Sequence, residues 1–167
     1  MAVKPEAWQT GPVAGVPPLL QPVAHALLNC REQLSEAVEG LTGDQLSARP
    51  ANAASIDYHV RHAIGSLDRL FTYARGEALS DDQRKYLAEE QTASRLSSRD
   101  LIGQFDAAIE RALSQLRATD EATLTDARTI GRAQLPSTVM GLLFHGAEHT
   151  ARHTGQVVTM SKIVASY

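Results

Sequence analysis

The chain has one cysteine, Cys30, in 167 residues, so it cannot form an internal disulfide, and a reducing compartment is expected. It has no excess of basic residues. Sixteen Lys+Arg stand against 19 Asp+Glu, a formal charge of −3. That leaves nothing to neutralise a phosphate backbone and argues against a nucleic-acid partner. No apolar run approaches the roughly 18 residues that a membrane-spanning helix needs. The first 28 residues carry one lysine and are interrupted by five prolines, which is not the form of a secretory signal. Strand-like alternation is almost absent, and there is no internal repeat or low-complexity tract. A cytoplasmic protein without membrane or nucleic-acid partners is expected.

What is present is helical periodicity. Residues 1–18, with Pro5, Pro12, Pro17 and Pro18, read as a proline-rich arm that either packs on the domain or stays loose. Residues 19–167 read as one domain, near the usual size for a single core. Val23, Leu27, Cys30, Leu34, Val38 and Leu41 recur at three- and four-residue steps, the mark of an amphipathic helix. LTGDQLSARP follows as a turn with room for one helical turn. Ser55 is a suitable N-cap for a second helix to about Ala74, with Gly76 as its stop.

The polar stretch 77–97 is a long connection in which LSDDQRKYLAEEQ could form a short surface helix. Ser98 is expected to cap a third helix, with Leu101, Phe105, Ile109, Ala112 and Leu116 on one face. Residues 119–136 are polar and turn-rich, and RTIGRAQLPST could hold a small hairpin. Ser137 or Thr138 opens a fourth helix that runs nearly to the C-terminus. The expected fold is all-α, a four-helix bundle with a long connection between helices 2 and 3.

The chemistry points to the fourth helix. Its apolar stripe is Val139, Leu142, Leu143 and Gly146, then Val157, Met160 and Val164, with His149 and His153 between the two apolar ends. Imidazoles at i and i+4 project from one face one turn apart, a spacing that suits two neighbouring positions on a metal. Burying both without partners would cost several kcal/mol, and a shared ion would satisfy both at once. A third ligand must come from elsewhere, and His25, His59, His62 and His145 are the candidates. At about 100° per residue, His59 lies nearer the centre of the second helix's apolar stripe than His62.

Glu148 reads as a surface or supporting carboxylate, and Gln156 as either a ligand anchor or a cap on a neighbouring helix. Arg61, Arg69 and Arg152 read as solvated charges, although they could meet an anionic cofactor. Asp57 and Asp68 are expected to face solvent. Cys30 falls on an apolar stripe and reads as a core residue, and His25 as a packing or surface histidine.

SIDYHVRHAIGSLDRL followed much later by HTARHTGQV resembles the DinB/YfiT-like family of metal-binding four-helix bundles, over roughly residues 20–165. Ser55, Ile56, Val60 and His62 match the family's stretch on helix two. His149, His153, Gly155 and Gln156 match its closing HxxxH and x-G-Q. The pattern is usually apolar at position 59, so the resemblance implies His62, His149 and His153 as the metal ligands, against the wheel. His59, His145, Glu148 and Gln156 remain supporting residues or alternative ligands.

Three neutral imidazoles suit Ni²⁺, Zn²⁺, Cu²⁺ or Fe²⁺ over Mg²⁺ or Ca²⁺, with nickel or zinc expected. Three protein ligands leave room for water or substrate, as in catalytic sites. The resemblance implies a divalent-metal-dependent enzyme acting on a small-molecule substrate, either a thiol-dependent S-transferase using a low-molecular-weight thiol or a metal-dependent hydrolase. It also implies a homodimer. The alternative is a metal-binding or interaction bundle without turnover.

Overall fold

A computed structural model describes residues 5–166. Among these, six α-helices are present: α1 (Gln21–Val38), α2 (Gly43–Ser47), α3 (Ile56–Ala74), α4 (Asp81–Glu89), α5 (Ser98–Ala118) and α6 (Val139–Val164). The expected helical class holds. The four long helices are those anticipated from periodicity, while α2 and α4 grow out of the turn after the first helix and the polar connection. Strands β1 (Ala127–Ile130) and β2 (Leu135–Thr138) pair antiparallel, so the small hairpin forms. No described helix is long and apolar enough to cross a membrane.

The helix boundaries follow local chemistry. Ser55 Oγ accepts from the Tyr58 N–H, and Thr138 Oγ1 accepts from the Gly141 N–H, each satisfying an orphan donor of a first turn. The cap of α5 is Ser97, one residue before the expected Ser98. The Ser97 hydroxyl and the Asp100 carboxylate bond reciprocally to each other's backbone N–H groups. At the far end of α3, Gly76 takes φ +77°, a left-handed stop that a side chain would resist. The hairpin docks onto the start of α6, where the Val139 and Met140 N–H groups bond to the carbonyls of Asp126 and Leu124.

Contacts along the helices set their directions. Gln33, Glu36 and Ala37 of α1 share a groove with Val158, Ser161 and Lys162 of α6, so these two helices run parallel. The Leu19 N–H, just before α1, reaches Glu121, just after α5, at 2.6 Å; these helices are antiparallel. Gln115 near the end of α5 donates to the Phe71 carbonyl near the end of α3 at 2.8 Å, which makes α3 and α5 parallel. His59 meets His153, and Phe71 meets Gly146, so α3 and α6 are antiparallel. The chain thus runs up α1, down α3 and α5, and up α6. Two successive parallel helices require a connection that returns along the bundle, and residues 75–97 supply it, with α4 inside.

The core lies along the four inward stripes and contains the fully buried Leu27, Leu34, Leu67, Phe105, Leu116 and Leu142. Cys30 is part of this core, and burial pushes its thiol up to about 11, which makes it inert rather than nucleophilic. The described part of the arm packs on the domain. Val16 is buried, the Ala7 N–H bonds to Asn29, and Gln21 closes onto Val13 and Val16. Trp8 stays outside, 60% exposed, with its Nε1 donating to Glu6. Among the described residues, His25 meets the Gly11 carbonyl of that arm, at 3.0 Å.

Gly146 permits the close approach of α3 and α6. A Cβ there would lie 2.9 Å from Phe71 Cε2 and 3.3 Å from Leu67 Cδ1, inside ordinary contact distance. Gly146→Ala is therefore expected to destabilise the protein by about 1–3 kcal/mol through overpacking, read as a lower denaturant midpoint with unchanged slope.

Candidate metal centre

The Ser55 cap sets the phase of α3, and that phase sorts its polar residues. His59 points inward beside Val60, His62 sits at the rim of the α3–α6 seam, and Asp57 and Arg61 face the connection between α3 and α5. On α6, His149 and His153 follow Gly146 on the same seam. His62, His149 and His153 each offer one ring nitrogen, and these three atoms lie within 4.8 Å of one another. The Nε2 atoms of His62 and His149 are 3.0 Å apart. His153 is buried, and the other two are half-buried. A cluster of this kind could hold a metal ion.

The surroundings fit such an ion. Two acceptor nitrogens at 3.0 Å must share a proton unless a cation lies between them, and about 3 Å is the separation expected of neighbouring donors at metal–nitrogen distances near 2.1 Å. The far nitrogen of His62, Nδ1, is 2.9 Å from Glu90 Oε2, so a carboxylate backs this ring. The far nitrogen of His153, Nδ1, is 3.0 Å from His59 Nδ1. The Nδ1 of His149 is buried with no hydrogen-bond partner. Tyr58 stacks on His62, with ring centroids 5.4 Å apart and planes 13° from parallel.

The wheel and the family pattern favoured different residues at positions 59 and 62, and the convergent group contains His62. His59 lies behind the cluster against His153. At the rim, His145 is exposed, 3.3 Å from Glu148 Oε2, and its ring meets His149 at 5.6 Å. Glu148 also pairs with Arg152 at 2.5 Å, and these two bonds hold its carboxyl below the usual range. Gln156 is exposed on the far side of His153.

The structure corrects three expectations. Asp57 does not face solvent: it is 3% exposed and takes bonds from Arg61, at 3.2 Å, and from the backbone N–H and hydroxyl of Ser94. Asp68 is half-buried, accepting from Gln83 at 2.6 Å. Arg61 and Arg69 are buried rather than solvated, because the returning connection covers them. Arg61 donates to the carbonyls of Glu89 and Thr92, and Arg69 Nη1 donates to Glu90 Oε1 at 2.6 Å.

Glu90 is the residue that sequence reasoning missed. It ends a polar helix that has the composition of a surface element, yet it is 2% exposed. Burial pushes its pKa up, but the bonds from His62 and Arg69 outweigh this and hold it below the usual value. The lack of a side chain at Gly65 makes the space. A Cβ there would collide with Glu90 Oε1 and lie 2.7 Å from both Arg69 Nη1 and Tyr86 Cε1.

Burial, followed by the neighbouring His62, His149 and His59 and the Arg152 charge, depresses His153 from 6.5 to about 3. His149 and His59 are lowered as well, chiefly by burial. The unfolded chain takes up protons near pH 6.5 that the folded rings refuse. Stability from this source is complete above pH 6.5 and is lost as pH falls toward 3. Metal-free protein is therefore expected to show a denaturation midpoint that declines continuously below pH 6.5, and His153→Ala should flatten that decline.

The described helices form a bundle whose α3–α6 seam carries three imidazoles that could hold a metal ion. The family model of the DinB superfamily matches residues 26–157, and the chain belongs to this superfamily. The comparison with curated proteins yields no match. Among solved structures, a conserved protein from Enterococcus faecalis superposes with a TM-score of 0.74 at 17% identity, covering 89% of this chain and 98% of that one, and shares the fold.

Proposed function

We propose that this protein is a divalent-metal-dependent enzyme built as a DinB/YfiT-type four-helix bundle, with His62, His149 and His153 as ligands and nickel or zinc as the ion. The observation that carries this reading is the convergence of three ring nitrogens within 4.8 Å, with a carboxylate behind one of them. Neutral nitrogen donors favour first-row transition ions over magnesium or calcium. With three protein ligands, such an ion supplies Lewis acidity toward a water or a thiolate at its remaining positions.

The chain's own contribution is positional. α3 and α6 hold the rings in one cluster, Glu90 orients His62, and Tyr58 covers a face of that ring. Arg152, exposed and paired with Glu148 on the same helix as His149, is the cation this reading assigns to an anionic group of a small thiol. The proposed reaction is transfer of a low-molecular-weight thiol to an electrophilic small molecule, with hydrolysis by bound water as the second possibility in the same class. A cytoplasmic homodimer completes this reading.

X-ray absorption on Ni²⁺- or Zn²⁺-loaded protein tests it. Three imidazoles plus light-atom donors, with a sulfur scatterer appearing when a low-molecular-weight thiol is added, are expected. A four-imidazole shell that includes His59 and does not change with thiol would overturn the enzyme reading and favour a metal-binding bundle without turnover.

A further inference from the structure

Resting on that reading of the cluster, we infer that Glu90 is a positioning residue for the metal site: it selects the His62 tautomer that leaves Nε2 free to bind. Glu90 Oε2 lies 2.9 Å from His62 Nδ1, and the ring's Nε2 faces the cluster, 3.0 Å from His149 Nε2. A carboxylate can only accept, so Nδ1 must carry the proton, and Nε2 then presents its lone pair to the cluster.

The carboxylate does not depend on the ring for its place. Its other oxygen, Oε1, is held by Arg69 at 2.6 Å. The segment that carries it is fastened to α3 at several points. Arg61 binds the carbonyls of Glu89 and Thr92, Tyr86 Oη donates to the Arg61 carbonyl at 3.2 Å, and Ser94 bonds to Asp57. Gly65 leaves the room in which Glu90 and Arg69 meet. The long α3–α5 connection thereby becomes part of the metal site, although none of its residues is a ligand in the cluster.

A substitution separates this role from that of a simple counter-ion to Arg69. In Glu90→Gln, Arg69 requires an acceptor, so the amide oxygen faces the guanidinium and the NH₂ group faces His62. The Nδ1 atom must then accept, which moves the ring proton to Nε2 and blocks the donor nitrogen.

The experiment uses the full chain and Zn²⁺ alone, in competition with a chromogenic chelator. Glu90→Gln is expected to bind Zn²⁺ about 10–100-fold more weakly than the parent. Long-range ¹H–¹⁵N spectra of metal-free parent are expected to show His62 protonated at Nδ1, and those of the variant at Nε2. The parent spectrum keeps the test valid even if the variant folds poorly. An Nε2–H tautomer in the parent, or equal Zn²⁺ affinity in a folded variant, overturns this inference alone. A parent that takes up no Zn²⁺ overturns the reading of the cluster and this inference with it.

Discussion

Replacing His149 and His153 together with alanine is expected to lower the metal content of untagged protein from about one ion per chain to nearly none, measured by elemental analysis. Two of three converging nitrogens disappear, and the remaining His62 is a single imidazole on the rim. The loss should also appear in stability. A ligand at 100 times its dissociation constant stabilises the folded state by about 2.7 kcal/mol, and this increment should be present in the parent and absent in the double variant. Metal-free stabilities need not diverge as far, because the variant also removes two buried or half-buried rings, one of which, His149, has a buried nitrogen with no hydrogen-bond partner. Undiminished metal content in the variant would refute the assignment of these histidines.

Arg61→Ala is expected to cost about 3–5 kcal/mol in denaturant unfolding, the usual penalty for breaking a buried ion pair from one side. Asp57 and Arg61 are 3% and 8% exposed, and Asp57 would keep only its Ser94 bonds. The same change frees the carbonyls of Glu89 and Thr92, so the connection should loosen from α3, visible as faster amide exchange over residues 89–94. Arg61→Lys should recover part of the loss, because an ammonium restores the charge but not the fork that reaches two carbonyls and a carboxylate. Asp57→Asn on the Arg61→Ala background should also recover part of it by removing the uncompensated charge. A cost within about 0.5 kcal/mol would mean the pair behaves as a surface contact.

The four long helices were legible because each carries an apolar stripe at helical spacing, and three of them, α3, α5 and α6, also open on a cap that acts locally, as Ser55, Ser97 and Thr138 do. The pair on α6 was legible for a related reason: His149 and His153 break an apolar stripe where nonpolar residues are expected. The choice between His59 and His62 was not settled by periodicity, because both lie within reach of the α3–α6 seam. A wheel measures depth in the core, and His59, the deeper residue, packs behind His153 instead of converging with the others.

Burial of Asp57, Arg61, Arg69 and Glu90 was illegible. Their cover comes from a polar connection, and its docking is decided by ion pairs and hydrogen bonds between residues 21 to 37 positions apart rather than by any repeating pattern. The hairpin left only a faint trace, because its strands are four residues each and none of their residues is fully buried, too short a run for a period to show.

The stacking of Tyr58 on His62 gives the molecule a built-in optical reporter. Its single tryptophan, Trp8, sits on the outer arm, far exposed, and its emission would report the arm's surroundings rather than those of the bundle. Among its four tyrosines, Tyr58 lies against a ring of the cluster, with centroids 5.4 Å apart. In a Trp8→Phe background the remaining ultraviolet emission belongs to tyrosine. A paramagnetic ion such as Ni²⁺ or Cu²⁺ arriving beside His62 would quench part of it, whereas closed-shell Zn²⁺ would leave it bright. Titrations of the site could then be followed by light alone, without a dye or a tag.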